Sequence, residues 1–284
     1  MPSGKQPSVR LRRIGSALRK AREDKRMTMD TASRLYGRSK GWLSTLENGL
    51  HAVSPEELSD LLDFYDVPEG PLRESLLHLA KHQSKENWQR EREGRISAAA
   101  LDLASLEEDT ALIRTFQPCV IPGLLQVPDY TRALITAGPS RLAANVEELV
   151  AFRTGRQRIL TRPDPPHYLA IISELALHNP VAGSGVMRAQ INRLADVGDQ
   201  DNIELRILPV SAGACLWLAG PFDLLLLRPP GRLTVSVSEH FARSLFVENE
   251  GEVAYHESIF AHLLAASLDE SSSRERIGRL ASVA

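Results

Sequence analysis

Residues 38 to 45 read Arg-Ser-Lys-Gly-Trp-Leu-Ser-Thr, a stretch rich in hydrogen-bond donors and free of acids. Lys40 can donate to guanine O6 or N7, Thr45 can hydrogen-bond a base edge or meet a thymine methyl, and Trp42 offers a flat apolar surface, with Gly41 and Ser44 beside them. Thr28, Arg38 and Ser39 are better placed for phosphate oxygens, whose contacts fix position and supply most of the affinity while base contacts choose the sequence. Other chemistry would have to come from the second half, through Glu174, His178, Asn179, Ser211, Glu239, His240 and His256. These form no GxSxG elbow and no HExxH pair, and Gly183-Ser184-Gly185 lacks both the spacing and the lysine of a phosphate loop. No enzymatic activity and no cofactor is expected. Glu174 and His178, four apart, read as a surface ion pair.

The donors need elements to present them. Leu11, Ile14, Leu18 and Ala21 recur at helical spacing between Ser8 and Lys25. Thr28 is an N-cap for a helix over Met29–Tyr36, Gly37 breaks the chain, and Ser39 caps a third helix that runs to Glu47 before Asn48 and Gly49 end it. Two short helices joined by a tight turn form a helix-turn-helix, whose second helix enters the major groove while the first crosses the backbone. Leu35, Leu43 and Leu46 are expected to point inward. Ser54, Pro55 and Glu57 make a capping-box start for a helix carrying Leu58, Leu61, Leu62 and Tyr65, and a fifth helix after Gly70-Pro71 carries Leu72, Leu76, Leu77 and Ala80 on its inner side.

Charge separates this head from the rest. The first 50 residues hold 12 Lys and Arg against 4 Asp and Glu, a net +8, so a total of −2 leaves −10 on the remainder. A basic head on an acidic body fits a nucleic-acid-binding module joined to something that does not bind nucleic acid. Cys119 and Cys215 have no second Cys or His at metal spacing and read as buried thiols in a reducing cytoplasm. The longest apolar run, around Leu224–Leu227, is too short to span a bilayer. A cytoplasmic protein is expected.

At 284 residues the chain suits two domains. Residues 1–80 form the all-α head, 81–105 a charged, helical or flexible linker around Trp88, and 106–284 a mixed α/β domain. Strands are expected at Tyr168–Ile172, Ile203–Leu208, Phe222–Leu227, Leu233–Val237 and Ser244–Val247, with helices near Tyr130–Ala137, Val146–Leu160, Val186–Val197 and Val253–Leu268. The glycine-bounded loop from Ser211 to Phe222 carries Leu216 and Trp217, which either cover the core or anchor a partner.

The motif MTMDTASRLYGRSKGWLSTLENG, with its LxxLENG-like ending, resembles the phage-repressor or XRE-type helix-turn-helix. RTFQPCVIPGLLQVPDYTRALITAG, ELVAFRTGRQRIL, SELALHNPVAGSGVMRAQINRL and ILPVSAGACLWLAGPF resemble the second domain of a large set of actinobacterial antitoxin-like regulators. The resemblance implies a transcriptional regulator encoded beside a very small partner protein, and with Leu216 and Trp217 in their glycine-bounded loop the partner contact is expected on the second domain. Met29 stands where that family usually has a Gln that supports a backbone contact, and Ala32 where a larger Leu is usual. A homodimer is expected, because one recognition helix reads only a few base pairs. A second domain that senses a small-molecule ligand is the alternative.

Overall fold

The computed structural model describes residues 7–81, 96–138, 145–179, 181, 183–217, 220–228, 234–240 and 243–283. They fall into two compact units, one of the residues up to Ser105 together with Leu227 and Arg228, the other of Leu106–Leu226 and the residues from Thr234 on. The chain has an all-α first unit and a mixed α/β second unit.

In the first unit, five helices follow the caps read from the sequence: α1 Val9–Asp24, α2 Met29–Tyr36, α3 Lys40–Glu47, α4 Pro55–Phe64 and α5 Pro71–Lys81. Thr28, Ser39 and Ser54 each accept the backbone N–H three residues on, satisfying an orphan donor of the first turn. Gly37 closes α2 with φ at 76° and receives no clash, so the left-handed turn that sets α2 against α3 costs nothing there. The interior is built from Ile14, Leu18, Leu43, Leu46, Leu58, Leu61, Leu62 and Leu76.

Leu35 and Leu72, expected inside, are 59% and 54% exposed. The inner face of α2 is Ala32 and Ser33, small residues that let the helix lie close, while α5 turns Arg73, Leu76, Leu79 and Ala80 inward. Arg73 is admitted because its guanidinium reaches Asp63, Glu69 and the Val67 and Ser59 carbonyls. The capping box is half formed. Ser54 accepts the Glu57 N–H at 3.1 Å, but the Glu57 carboxylate goes to Arg38 instead of reaching back.

Helix α6, Ala98–Glu108, follows the charged stretch, whose residues 82–95, Trp88 included, lie outside the described part. The second unit is organised on six strands, β1 Thr110–Gln117, β2 His167–Ser173, β3 Ile203–Leu208, β4 Phe222–Leu227, β5 Thr234–His240 and β6 Arg243–Val247, in the order β3-β2-β1-β4-β5-β6. β1, β2 and β3 are parallel, and β4, β5 and β6 antiparallel. The helices are α7 Pro128–Ala137, α8 Val146–Arg156, the short α9 Glu174–His178, α10 Gly183–Val197, α11 Glu250–Ala266 and α12 Glu270–Val283. The α11 residues Phe260 and Leu263 pack on Phe116, Ile171, Leu208, Phe222 and Leu224 of the sheet.

The elements of this unit absent from the sequence-based expectation include one central strand and the last helix. β1 is the parallel strand at the centre of the sheet, and α12 lies along β3, whose edge is closed by Leu268 N–H to the Ile207 carbonyl and Ile207 N–H to Ser273 Oγ. Cys119 is exposed rather than buried, and Cys215 lies outside the residues whose side chains are described. Glu174 does not pair with His178. Its carboxylate accepts the Val210 N–H at 3.0 Å, two residues past β3, and pairs with Arg276 of α12, which outcompetes His178, whose charge acts on it only weakly.

Candidate nucleic-acid interface

Helix α3 is held from behind. Arg22, in the last turn of α1, donates Nε to Glu47 Oε1 at 2.7 Å and Nη2 to Oε2 at 2.9 Å, with Nη1 on the Met27 carbonyl at 2.8 Å. Two glycines bring the backbones together: a Cβ on Gly15 would stand 2.6 Å from the Leu46 and Glu47 carbonyl oxygens, and one on Gly49 2.7 Å from the Arg12 nitrogen. Burial pushes the nearby Tyr65 phenol up to about 12, with the Glu47 charge adding to it.

Leu43 and Leu46 face this support, so the opposite side of α3 is open. Lys40, Gly41 and Thr45 are exposed, and Ser44 is half-buried. Thr45 Oγ1 donates to the Trp42 carbonyl at 2.8 Å, which leaves its lone pairs and methyl outward. Thr28 and Ser39 cap α2 and α3 from exposed positions, and their N-terminal turns present backbone N–H groups and positive dipole ends that favour phosphate. Asp30 Oδ1 lies 3.0 Å from Lys40 Nζ, so the two N-terminal turns meet.

Trp42 is half-buried and packs. Its ring stacks on Tyr36 at 6.2 Å and meets His51 edge-on at 6.4 Å, while the Arg38 guanidinium lies 5.1 Å above it and donates to Glu57 at 2.7 Å. Burial raises the Tyr36 phenol above its ordinary range, with Glu57 and Asp60 adding. Thus Arg38 and Lys40, both read as DNA contacts, each rest on a carboxylate of their own domain. The pairs are exposed and individually weak, and Arg38 can exchange Glu57 for a phosphate oxygen.

Two residues on this surface escape the sequence reading. Asn48 donates Nδ2 to the Ser44 carbonyl at 2.8 Å and accepts from Arg19 at 2.7 Å, and the spacing 41, 45, 48 along the outer face could have found it. Asp30 could not be found that way, since its link to Lys40 is tertiary.

Residues 100–279, more than half of the chain, match the family described as a domain of unknown function (DUF5753). The chain belongs to that family. Residues 13–76 match a helix-turn-helix domain (HTH_31), which covers α1 to α4 and the first half of α5. No curated protein and no solved structure matches the chain. The first unit of this DUF5753 protein is therefore a helix-turn-helix domain of the DNA-binding regulator type.

In the second unit, the Val210–Trp217 segment is a 3-10 helix with a kink at Gly213. The side chains of Leu216 and Trp217 lie outside those described. The polar residues weighed for catalysis have separate partners: Asn179 donates to the Cys119 carbonyl at 3.0 Å, His256 Nδ1 lies 2.7 Å from Ser236 Oγ, and Glu174 binds Val210 and Arg276. The side chains of Glu239 and His240 are not described. Among the described residues no helix is long and apolar enough to cross a membrane.

Proposed function

We propose that the protein is a sequence-specific, antitoxin-like transcriptional regulator without enzymatic activity, acting as a homodimer on double-stranded DNA in the cytoplasm. Lys40 and Thr45 read base edges, Gly41 and Ser44 let the helix approach them, and Thr28, Arg38 and Ser39 hold phosphates. Trp42 supports Arg38. The observation that carries this reading is the open row Lys40, Gly41, Ser44 and Thr45 on a helix fixed from behind by a buried ion pair. Rigid support matters because base readout requires donors placed before the duplex arrives.

The second unit holds a small partner protein. Support comes from Leu175 and Val210, which are 48% and 47% exposed; the Val210 N–H is held by Glu174, the neighbour of Leu175, and Val210 opens the 3-10 helix that carries Leu216 and Trp217. The small-molecule reading rests on a different observation, a cleft of about 180 Å³ among α10, β3 and α12, lined by Leu194, Ala195, Leu205, Arg274 and Ile277, which is smaller than the roughly 300–1,000 Å³ of most ligand sites. A thermal-shift screen separates the two readings, since a ligand of the folded state raises the melting temperature by mass action.

Selection from a random duplex library with the full chain tests the DNA reading. Enrichment of one sequence family is expected, and recovery of unbiased sequence would overturn it.

A further inference from the structure

Asp30 places a carboxylate on the face that the recognition helix turns to DNA, where a duplex presents one negative charge per about 1.7 Å of axis. An acid at that place weakens binding to any sequence unless it does something specific. Its partner is the residue read as the guanine donor: Oδ1 lies 3.0 Å from Lys40 Nζ, while 74% of the Asp30 side chain and 61% of the Lys40 side chain remain exposed. Asp30 sits in the first turn of α2, after the Thr28 cap, and Lys40 opens α3 after the Ser39 cap, so both backbones at the ends of this bridge are fixed.

Resting on the DNA reading above, we infer that Asp30 is a specificity-determining positioning residue. It holds the flexible Lys40 side chain over the N-terminal turn of α3 and cancels its charge toward phosphate, so that Lys40 reads guanine instead of adding to indiscriminate affinity. A lysine ammonium is a point charge on four rotatable bonds, and without a tether it reaches phosphates as readily as base edges. With the tether it contributes little to counterion release on random DNA. At a guanine the ammonium has three donors and serves O6 or N7 while keeping its carboxylate.

The test compares the full chain with Asp30→Asn, Asp30→Glu, Lys40→Ala and the Asp30→Asn/Lys40→Ala double variant. The probes are the duplex enriched by the wild type and a scrambled duplex of the same composition, each titrated across a range of salt. Asp30→Asn is expected to bind the scrambled duplex more tightly, to steepen its log-affinity against log-salt slope by about 0.9, the increment of one further phosphate contact, and to lower the preference for the enriched duplex roughly three- to tenfold. Asp30→Glu should keep most of the preference, and in the Lys40→Ala background Asp30→Asn should no longer change it. An unchanged melting temperature and circular dichroism spectrum separate positioning from folding. A preference that survives Asp30→Asn, or an equal loss with and without Lys40, overturns the inference alone. A wild type without any preference overturns the DNA reading and this inference together.

Discussion

Arg22 and Glu47 form a two-point ion pair in the interior of the first unit, with N–O distances of 2.7 and 2.9 Å, the Glu47 side chain fully buried and that of Arg22 10% exposed. The pair joins the last turn of α1 to the last turn of α3. Since Arg22 also holds the Met27 carbonyl just before α2, one guanidinium sets both α3 and the entry to α2.

Removing either partner breaks a buried pair, which costs up to about 3–5 kcal/mol, with only a longer contact left to the survivor, Arg19 at 3.5 Å from Glu47 or Glu23 at 3.5 Å from Arg22. Glu47→Ala and Arg22→Ala should each lower the stability of the first unit by that amount in urea unfolding followed by circular dichroism. The double variant Arg22→Met/Glu47→Leu should lose much less, because apolar side chains of similar size leave no orphan charge. Single-variant losses under about 1 kcal/mol would contradict an anchoring role.

Two glycines of the same domain should behave oppositely. A Cβ on Gly15 meets the Leu46 and Glu47 carbonyl oxygens at 2.6 Å, whereas on Gly41 the nearest atom is Ser39 Oγ at 4.0 Å. Gly15→Ala should therefore destabilise, since backbone must move. Gly41→Ala should raise stability by about 0.5–1 kcal/mol in a helix position, yet weaken DNA binding where the helix backbone nears the bases. Equal melting shifts for the two variants would refute the packing described.

Trp42→Ala removes the platform shared by Tyr36, His51 and Arg38. A loss of about 1–3 kcal/mol in stability is expected for this half-buried ring, with enriched and scrambled duplexes weakened alike. A selective loss on the enriched duplex at unchanged stability would make Trp42 a base contact.

How much of this was legible in the sequence varies by element. The boundaries of α1 to α4 could be read because Thr28, Ser39 and Ser54 announce the helix starts and Gly37 a left-handed end, all local signals. The inner face of α2 was misread because an eight-residue helix with one Leu gives too short a stripe, and the surface that approaches closest is made of Ala32 and Ser33. β1 was missed because its buried positions include Thr110 and Thr115, and its partner β2 lies some fifty residues on, out of reach of a local pattern. Helix α12, beside β3, begins Glu-Ser-Ser-Ser-Arg-Glu-Arg, and among its described side chains only Ser273 and Ile277 are buried, so it shows no apolar stripe. At the interface the exposed donors were visible as residue types. Their carboxylate partners Asp30 and Glu57 were not, since ion pairs across helices exist only once the turn at Gly37 is folded.

Acid should loosen the second unit at a definite place. The Val210 N–H and the Arg276 guanidinium hold the Glu174 carboxyl below its ordinary range, outweighing burial, which acts the other way. A depressed folded-state value means that the contribution is present above the unfolded value of about 4.3 and is lost as pH falls through the folded one. Glu174→Gln should lower stability at neutral pH and flatten its decline below about pH 4.5, as measured by thermal unfolding across that range. Parallel curves for wild type and variant would remove Glu174 from the account.

The most direct test of the central claim is the ratio of affinities of the full chain for the enriched and the scrambled duplex at one fixed moderate salt concentration, for wild type, Lys40→Ala, Thr45→Ala and Arg38→Ala. Reading by α3 predicts that Lys40→Ala and Thr45→Ala each compress the ratio by about 1–3 kcal/mol, while Arg38→Ala weakens both duplexes and leaves the ratio in place. A ratio unmoved by Lys40→Ala and Thr45→Ala would contradict sequence recognition through the outer face of α3.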